Sequence, residues 1–374
     1  MRGSQVMSTS GPVYMDYNAT APLRPEAAEA MMDALRQPAN PSSVHQFGRA
    51  ARALMEAARK TIADSLNVQP STLTFTSGGT ESNNMVLSGF ETVLASSVEH
   101  EAVLAACPNA KLINVDENGV VSLRHLETLL STLSDQGRAD VLVSVMAANN
   151  ETGVIQPLED IGILCQQNNV AFHTDMVQAF GKLEITPEES SIDYLTVSGH
   201  KIGAPTGTGA VWCREGRPLN SLLAGGGQEQ GKRSGTENLC GICGFAAAAK
   251  LARPSTIEHM RLWRDQAEQM IIQHCPKVEV IGVTASRLVN TSCLFLPGLA
   301  AQTAIMALDL AGFAVSSGSA CSSGKVTSSH VLKAMGRDDA AGQVIRISGG
   351  WKTTRQDFYG LAQAVIDLYK RKAN

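Results

Sequence analysis

From residue 72 to residue 213, short apolar runs alternate with helical patterns, and this alternation restricts the fold more than any other feature of the chain. Runs at 72–76, 140–146, 170–175, 194–197 and 209–213 are short and bounded by polar turns, which reads as strands. The segments 123–134 and 157–168 between them read as helices. Strand and helix in alternation predict an α/β unit with a largely parallel sheet, because parallel neighbours need a crossover connection. Two helices are expected before it, at 24–37 and 46–67. In the second, Phe47, Ala51, Leu54, Ala58, Ile62 and Leu66 recur at three- and four-residue spacing and predict one buried stripe.

The pattern changes after about residue 255. A helix at 255–274 is followed by strand-like runs at 278–281 and 289–295, a helix at 301–310, and strands at 313–316 and 344–348. The terminal helix carries Phe358, Leu361, Ala362, Val365 and Leu368 on one face, and Thr354 with Asp357 forms a capping box at its start. The expected organisation is a large α/β domain over 15–255 and a smaller α+β domain over 256–374, with the segment 1–14 packed on the second.

With 44% hydrophobic residues the chain can bury a substantial core, so disorder is excluded as a class. A net charge of −4 argues against direct nucleic-acid binding. No apolar run is long enough for a membrane span, and residues 1–11 hold no apolar leader, so the expected compartment is the cytoplasm. The eight cysteines are then expected to be mainly reduced thiols.

Polar groups recur at the ends of separate strands, where open α/β sheets place their ligands. Asp175 closes one strand, and Lys201 follows another in a Gly-rich turn, SGHKIG. A desolvated lysine there is a nucleophile, and an aspartate suits a protonated pyridine nitrogen, the pair that pyridoxal phosphate needs. The alternative is a surface lysine and a strand-end aspartate that caps a helix. Gly78-Gly79-Thr80 leads from a strand into a helix and offers either a phosphate seat or an ordinary turn. His100 and Asn150 also follow strands, and each is open to a structural or a ligand-facing role. Arg346 sits on an apolar strand; turned inward it suits a substrate carboxylate, and turned outward it is solvated.

Cys321 lies in SSGSACSSGK, a small, polar and flexible stretch that suits an accessible nucleophile better than a core thiol. Cys240 and Cys243 have redox or zinc spacing, but no second such pair exists. Their apolar, alanine-rich setting favours core packing, and no metal site is expected.

The chain resembles the pyridoxal-phosphate-dependent cysteine desulfurases of the fold-type-I, class-V aminotransferase group. The strings YMDYNATAP, NPSSVHQFGR, FTSGGTESNN, SVEHEAVL, NNETGVIQP, HTDMVQAFGK, SGHKIGAPTGTGA, GGGQEQGKRSGTEN, SSGSACSSGK and VIRIS occur in the family's order. The resemblance implies a seven-stranded, mainly parallel sheet plus the smaller α+β domain, with pyridoxal 5'-phosphate as cofactor. Lys201 would be the internal-aldimine lysine, with His100 stacked on the ring and Asp175 at its nitrogen. Gln178 and Asn150 would lie near the phenolic oxygen, and Gly79, Thr80, Ser198 and His200 around the phosphate. Asn150 and Arg346 would bind the substrate. Thr236 would reach the cofactor of a second subunit, which implies a homodimer.

Lys201, His100 and Cys321 would carry the chemistry, converting L-cysteine to L-alanine with a persulfide left on Cys321. The cysteine segment is similar to the family arm with a long, mobile loop, which implies delivery of sulfur to an acceptor protein such as an iron–sulfur scaffold. A selenocysteine lyase, or another lyase or aminotransferase of the same fold, is the alternative.

Overall fold

The computed structural model describes residues 11–37, 40–318 and 328–373. The elements of its first part are β1 (Val13–Tyr14), α1 (Pro25–Leu35), α2 (Gln46–Leu66), β2 (Leu73–Thr76), α3 (Gly79–Leu87), β3 (Thr92–Ser96), α4 (Glu101–Leu104), β4 (Lys111–Ile113), α5 (Leu123–Ser131), β5 (Val141–Ser144), α6 (Leu158–Gln167), β6 (Ala171–Asp175), β7 (Tyr194–Ser198), β8 (Gly209–Cys213) and α7 (Leu239–Leu251). Strands β2 to β8 form one seven-stranded sheet in the order β2-β8-β7-β6-β5-β3-β4. Only β8 runs against its neighbours. The others are parallel, so the expected mainly parallel α/β sheet is present.

Its strands are apolar on both faces because helices cover both. Every residue of β5, β6 and β7 is buried. On one side α1 and α2 lie against α7. The small residues of α7 allow this close approach: a Cβ on Gly244 would sit 2.7 Å from Met31 Cγ. The contact also rearranges the stripe expected on α2. Its buried face is Gly48, Ala51, Met55, Ala58, Arg59, Ile62, Ala63 and Leu66, whereas Phe47 and Leu54 are 57% and 37% exposed. Gly48, Ala51, Ala58 and Ala63 suit a close helix contact, and Phe47 and Leu54 lie on its flank.

The second part contains α8 (Met260–His274), β9 (Glu279–Val280), β10 (Thr291–Phe295), α9 (Ala301–Leu310), β11 (Phe313–Ala314), α10 (His330–Ala334), β12 (Val344–Ser348) and α11 (Arg355–Ala373). Strands β12-β10-β9 form an antiparallel sheet, and β1 pairs in parallel with β11. A separate core forms here, in which Met15 packs with residues of α8, β10, β12 and α11. The capping box of α11 is present: Thr354 N donates to Asp357 Oδ2 at 2.7 Å, and Asp357 N to Thr354 Oγ1 at 3.3 Å.

Two differences from the sequence reading have local reasons. The helix expected from 255 begins at Met260, because Pro254–Thr256 forms a separate 3-10 turn. The edge strand β4 was not foreseen; its Lys111 and Leu112 are exposed, so it lacks the apolar signature of the others.

Candidate active site

The C-terminal edge of the parallel sheet delivers the polar groups to one place. Gly79 and Thr80 come from the start of α3, His100 follows β3, Asn150 follows β5, Asp175 ends β6, and Ser198, His200 and Lys201 end or follow β7. All of them line a cavity of about 380 Å³, together with Gln178 and with Arg346 from β12. That volume lies within the range of small-molecule sites. A larger cleft of about 710 Å³ between the end of α2 and residues 183–186 gathers none of these groups.

Lys201 closes a short 3-10 turn, Gly199–Lys201. Its Nζ donates to the carbonyl oxygens of Asn18 at 2.6 Å and Ala19 at 2.8 Å. Burial, reinforced by the Arg346 charge, lowers its pKa to about 8, against the opposing pull of Asp16 and Asp175. An amine so tuned carries a usable neutral fraction near physiological pH. Asp175 accepts from Val177 N at 2.9 Å and from Asn83 Nδ2 at 2.7 Å, which fixes its carboxylate at the cavity wall.

His100 caps α4, and its Nδ1 accepts from Ala102 N at 3.0 Å. Burial and the Lys201 charge lower its pKa, while Asp175 opposes them. Because Nδ1 accepts the Ala102 N–H, the ring carries its proton on Nε2. Burial and Lys201 also push His200 down to about 4; its Nδ1 lies 3.1 Å from Thr20 Oγ1.

Arg346 is turned inward and is 4% exposed. Its Nη2 donates to Asp16 Oδ1 at 2.6 Å and its Nη1 to Asn150 O at 2.9 Å, while Nε has no partner. The guanidinium lines the cavity and keeps a second N–H on each Nη, which suits it to seat a carboxylate.

The remaining groups suit a phosphate. The backbone N–H groups at the start of α3 are free for an anion, and the hydroxyls of Thr80 and Ser198 have no partner among the described residues. A Cβ on Gly79 would lie 2.8 Å from Val177 Cγ2, so glycine leaves this cradle open. An amine, a carboxylate, an imidazole and an anion seat around one cavity match the donor set that pyridoxal phosphate requires.

One expected site residue is not gathered here. Thr236 lies outside the lining of the cavity. Cys321 lies outside the described residues, although the preceding Gly318 lines the cavity. Of the CxxC pair, Cys243 packs against the main core and Cys240 Sγ donates to Asn238 Oδ1 at 3.3 Å. Among the described residues no group of three His, Cys, Asp or Glu side chains is placed to hold a metal.

Sequence reasoning missed Asp16, Asn18, Asn83 and Lys182. Asn18 is a buried hub: its carbonyl receives Lys201 and Gln178, and its side chain touches Asn150, Thr291 and Lys182. The available signal was the run Asp16-Tyr17-Asn18, polar groups directly after an apolar start.

Comparisons with known proteins identify the family. The class-V aminotransferase family matches residues 13–360. A cysteine desulfurase of Cereibacter sphaeroides is 41% identical over 341 residues, covering 86% of each chain. A putative cysteine desulfurase, IscS 1, of Bacillus subtilis is 37% identical and covers 96% of this chain and 99% of its own. The crystal structure of a NifS-like protein from Rickettsia africae superposes with a TM-score of 0.88 at 34% identity, covering 96% of this chain and 99% of the other.

Proposed function

Because the chain belongs to the pyridoxal-phosphate-dependent cysteine desulfurases of the class-V aminotransferase family, we propose that the cavity at the sheet edge binds pyridoxal phosphate and L-cysteine and removes the substrate's sulfur as a persulfide on Cys321. The observation that carries this assignment is the buried Lys201 amine, tuned to about 8 and facing Asp175 and His100 across one cavity.

Lys201 would be the amine to which the cofactor attaches, with Asp175 to pair with its ring nitrogen and His100 to cover the ring. Gly79, Thr80, Ser198 and His200 would hold the phosphate, and Gln178 and Asn150 would hold the phenolic oxygen. When bound, pyridoxal phosphate supplies a sink for the electron pair left when the substrate's α-proton is removed. Lys201 Nζ takes that proton, and His100 Nε2 is placed to assist its transfer. Arg346 orients the substrate carboxylate, helped by Asn150.

The Cys321 thiolate then attacks the substrate sulfur. A sulfur–sulfur bond forms and the substrate's carbon–sulfur bond breaks. Protonation of the carbon skeleton yields L-alanine, so L-cysteine plus the Cys321 thiol becomes L-alanine plus the Cys321 persulfide. The persulfide is a reversible sulfur carrier. We assign its onward transfer to an acceptor protein such as an iron–sulfur scaffold, and the working unit to a homodimer in which Thr236 completes the site of the second subunit.

The test is L-alanine and sulfide formation from L-cysteine with a thiol reductant, for the cofactor-loaded protein and for Lys201→Ala. Equimolar products from the first and none from the second are expected. Alanine formation that survives Lys201→Ala would overturn the assignment.

A further inference from the structure

Lys182 stands behind the cavity rather than in its wall. The turn after β6 ends at Gly181, whose φ of 73° is left-handed; a Cβ there would lie 2.7 Å from Ala252 Cβ. The chain reverses at this point and drives the Lys182 side chain inward, leaving the residue 8% exposed. Its Nζ donates to Gln178 Oε1 at 3.0 Å and to Asn18 Oδ1 at 3.2 Å. Gln178 Nε2 in turn donates to Asn18 O at 2.8 Å, the same carbonyl that receives Lys201 Nζ at 2.6 Å.

Burying this amine is costly. Lys201 and Arg346 are positive neighbours, and they join burial in pushing the Lys182 amine down to about 7. A side chain serving only to fill space would be apolar. The amine does something an apolar stem cannot: it donates to two acceptors at once. That selects one orientation of the Gln178 amide, with Oε1 turned back toward Lys182 and the NH2 group toward Asn18 and the cavity. Of the two hydrogens on Nε2, Asn18 O takes one, and the second remains for a ligand.

Building on the function proposed above, we propose that Lys182 is a positioning residue for the cofactor. It locks the Gln178 amide and the Asn18 side chain so that Gln178 presents an N–H to pyridoxal phosphate beside Lys201.

The experiment measures the dissociation constant of pyridoxal phosphate from the apoprotein, read by the visible absorption band, for the unaltered protein, Lys182→Met, Gln178→Ala and the double variant. Loss of the two buried hydrogen bonds that fix Gln178 and Asn18 predicts a dissociation constant raised about tenfold in Lys182→Met. Because Lys182 acts through Gln178, the double variant is predicted to bind no more weakly than Gln178→Ala alone. Lys182→Arg, which keeps donors on a long stem, is predicted to recover most of the affinity.

A purely structural role would lower the melting temperature yet leave the two penalties additive. Additive penalties, or a Lys182→Met dissociation constant within twofold of the unaltered protein, overturn the inference. Where Lys182→Met melts below the assay temperature, Gln178→Glu replaces it, because it keeps the acceptor for Lys182 and removes the N–H. It is expected to bind as weakly as Gln178→Ala, and binding within twofold of the unaltered protein overturns the inference. Failure of the unaltered protein to bind pyridoxal phosphate would instead overturn the function on which it rests.

Discussion

Arg346→Ala is expected to impair the use of L-cysteine far more than it loosens the cofactor. In the resting protein Nη2 donates one hydrogen to Asp16 at 2.6 Å and Nη1 donates one to the Asn150 carbonyl at 2.9 Å, which leaves a second N–H on each. A substrate carboxylate in the cavity therefore gains a charge-assisted bond from a remaining Nη hydrogen without displacing Asp16. One charge-assisted hydrogen bond is worth roughly 1.5–3 kcal/mol. At about 1.4 kcal/mol per decade, a loss of about 2–3 kcal/mol lowers kcat/KM by about 30- to 150-fold.

Most of that effect should appear in KM, because the contact is made in the ground state and persists through the reaction. Asp16→Asn is the companion variant. It removes the charge that already pairs with Arg346, so KM should fall or stay unchanged. The assay is steady-state alanine formation over a range of L-cysteine concentrations, with the visible band reporting cofactor loading. A fully loaded Arg346→Ala protein whose KM stays within threefold of the unaltered value would refute the reasoning.

The lowered pKa of Lys201 has a direct chemical signature in the apoprotein. Its folded value, about 8, lies below the ordinary 10.5, so the folded site holds fewer protons than the unfolded chain between those values and contributes more to stability as pH rises through them. Amine acylation followed by peptide mapping should show Lys201 half-reactive near pH 8, and a midpoint above 10 would contradict its burial. Glu229 anchors the Gly-rich loop by accepting from Phe75 N at 2.8 Å and pairing with Arg59 at 2.7 Å. Glu229→Ala leaves a buried guanidinium with only the exposed Glu56 as its carboxylate partner, and should cost about 3 kcal/mol of stability in denaturant unfolding. A loss below about 1 kcal/mol would show that Glu56 or water compensates.

The polar edge of the sheet was legible because it follows from strand ends. Asp175, Lys201, His100 and Asn150 each terminate or follow an apolar run, and a parallel sheet must bring such positions together. Arg346 could be placed only as inward or outward, since alternation along a strand buried on both sides leaves the choice to tertiary packing.

What escaped the sequence depends on long-range contacts. Asn18 meets Lys201, Gln178 and Thr291 across more than 150 positions of chain, and no local period marks it. Lys182 lies one residue beyond a glycine in what reads as an ordinary turn, and its burial depends on the left-handed conformation of Gly181. The same holds for the flank of α2, where Phe47 and Leu54 yield the contact face to smaller residues that α7 can approach.

The central claim is that this cavity transfers sulfur from L-cysteine to Cys321. A single turnover without reductant tests it most directly: cofactor-loaded protein is mixed with L-cysteine, alanine is counted per subunit, and the Cys321 peptide is weighed by mass spectrometry. The account predicts one alanine per subunit and one added sulfur atom on Cys321, with both absent in Cys321→Ser while the cofactor band remains. Alanine formed with no sulfur on Cys321, or formed equally well by Cys321→Ser, would contradict it.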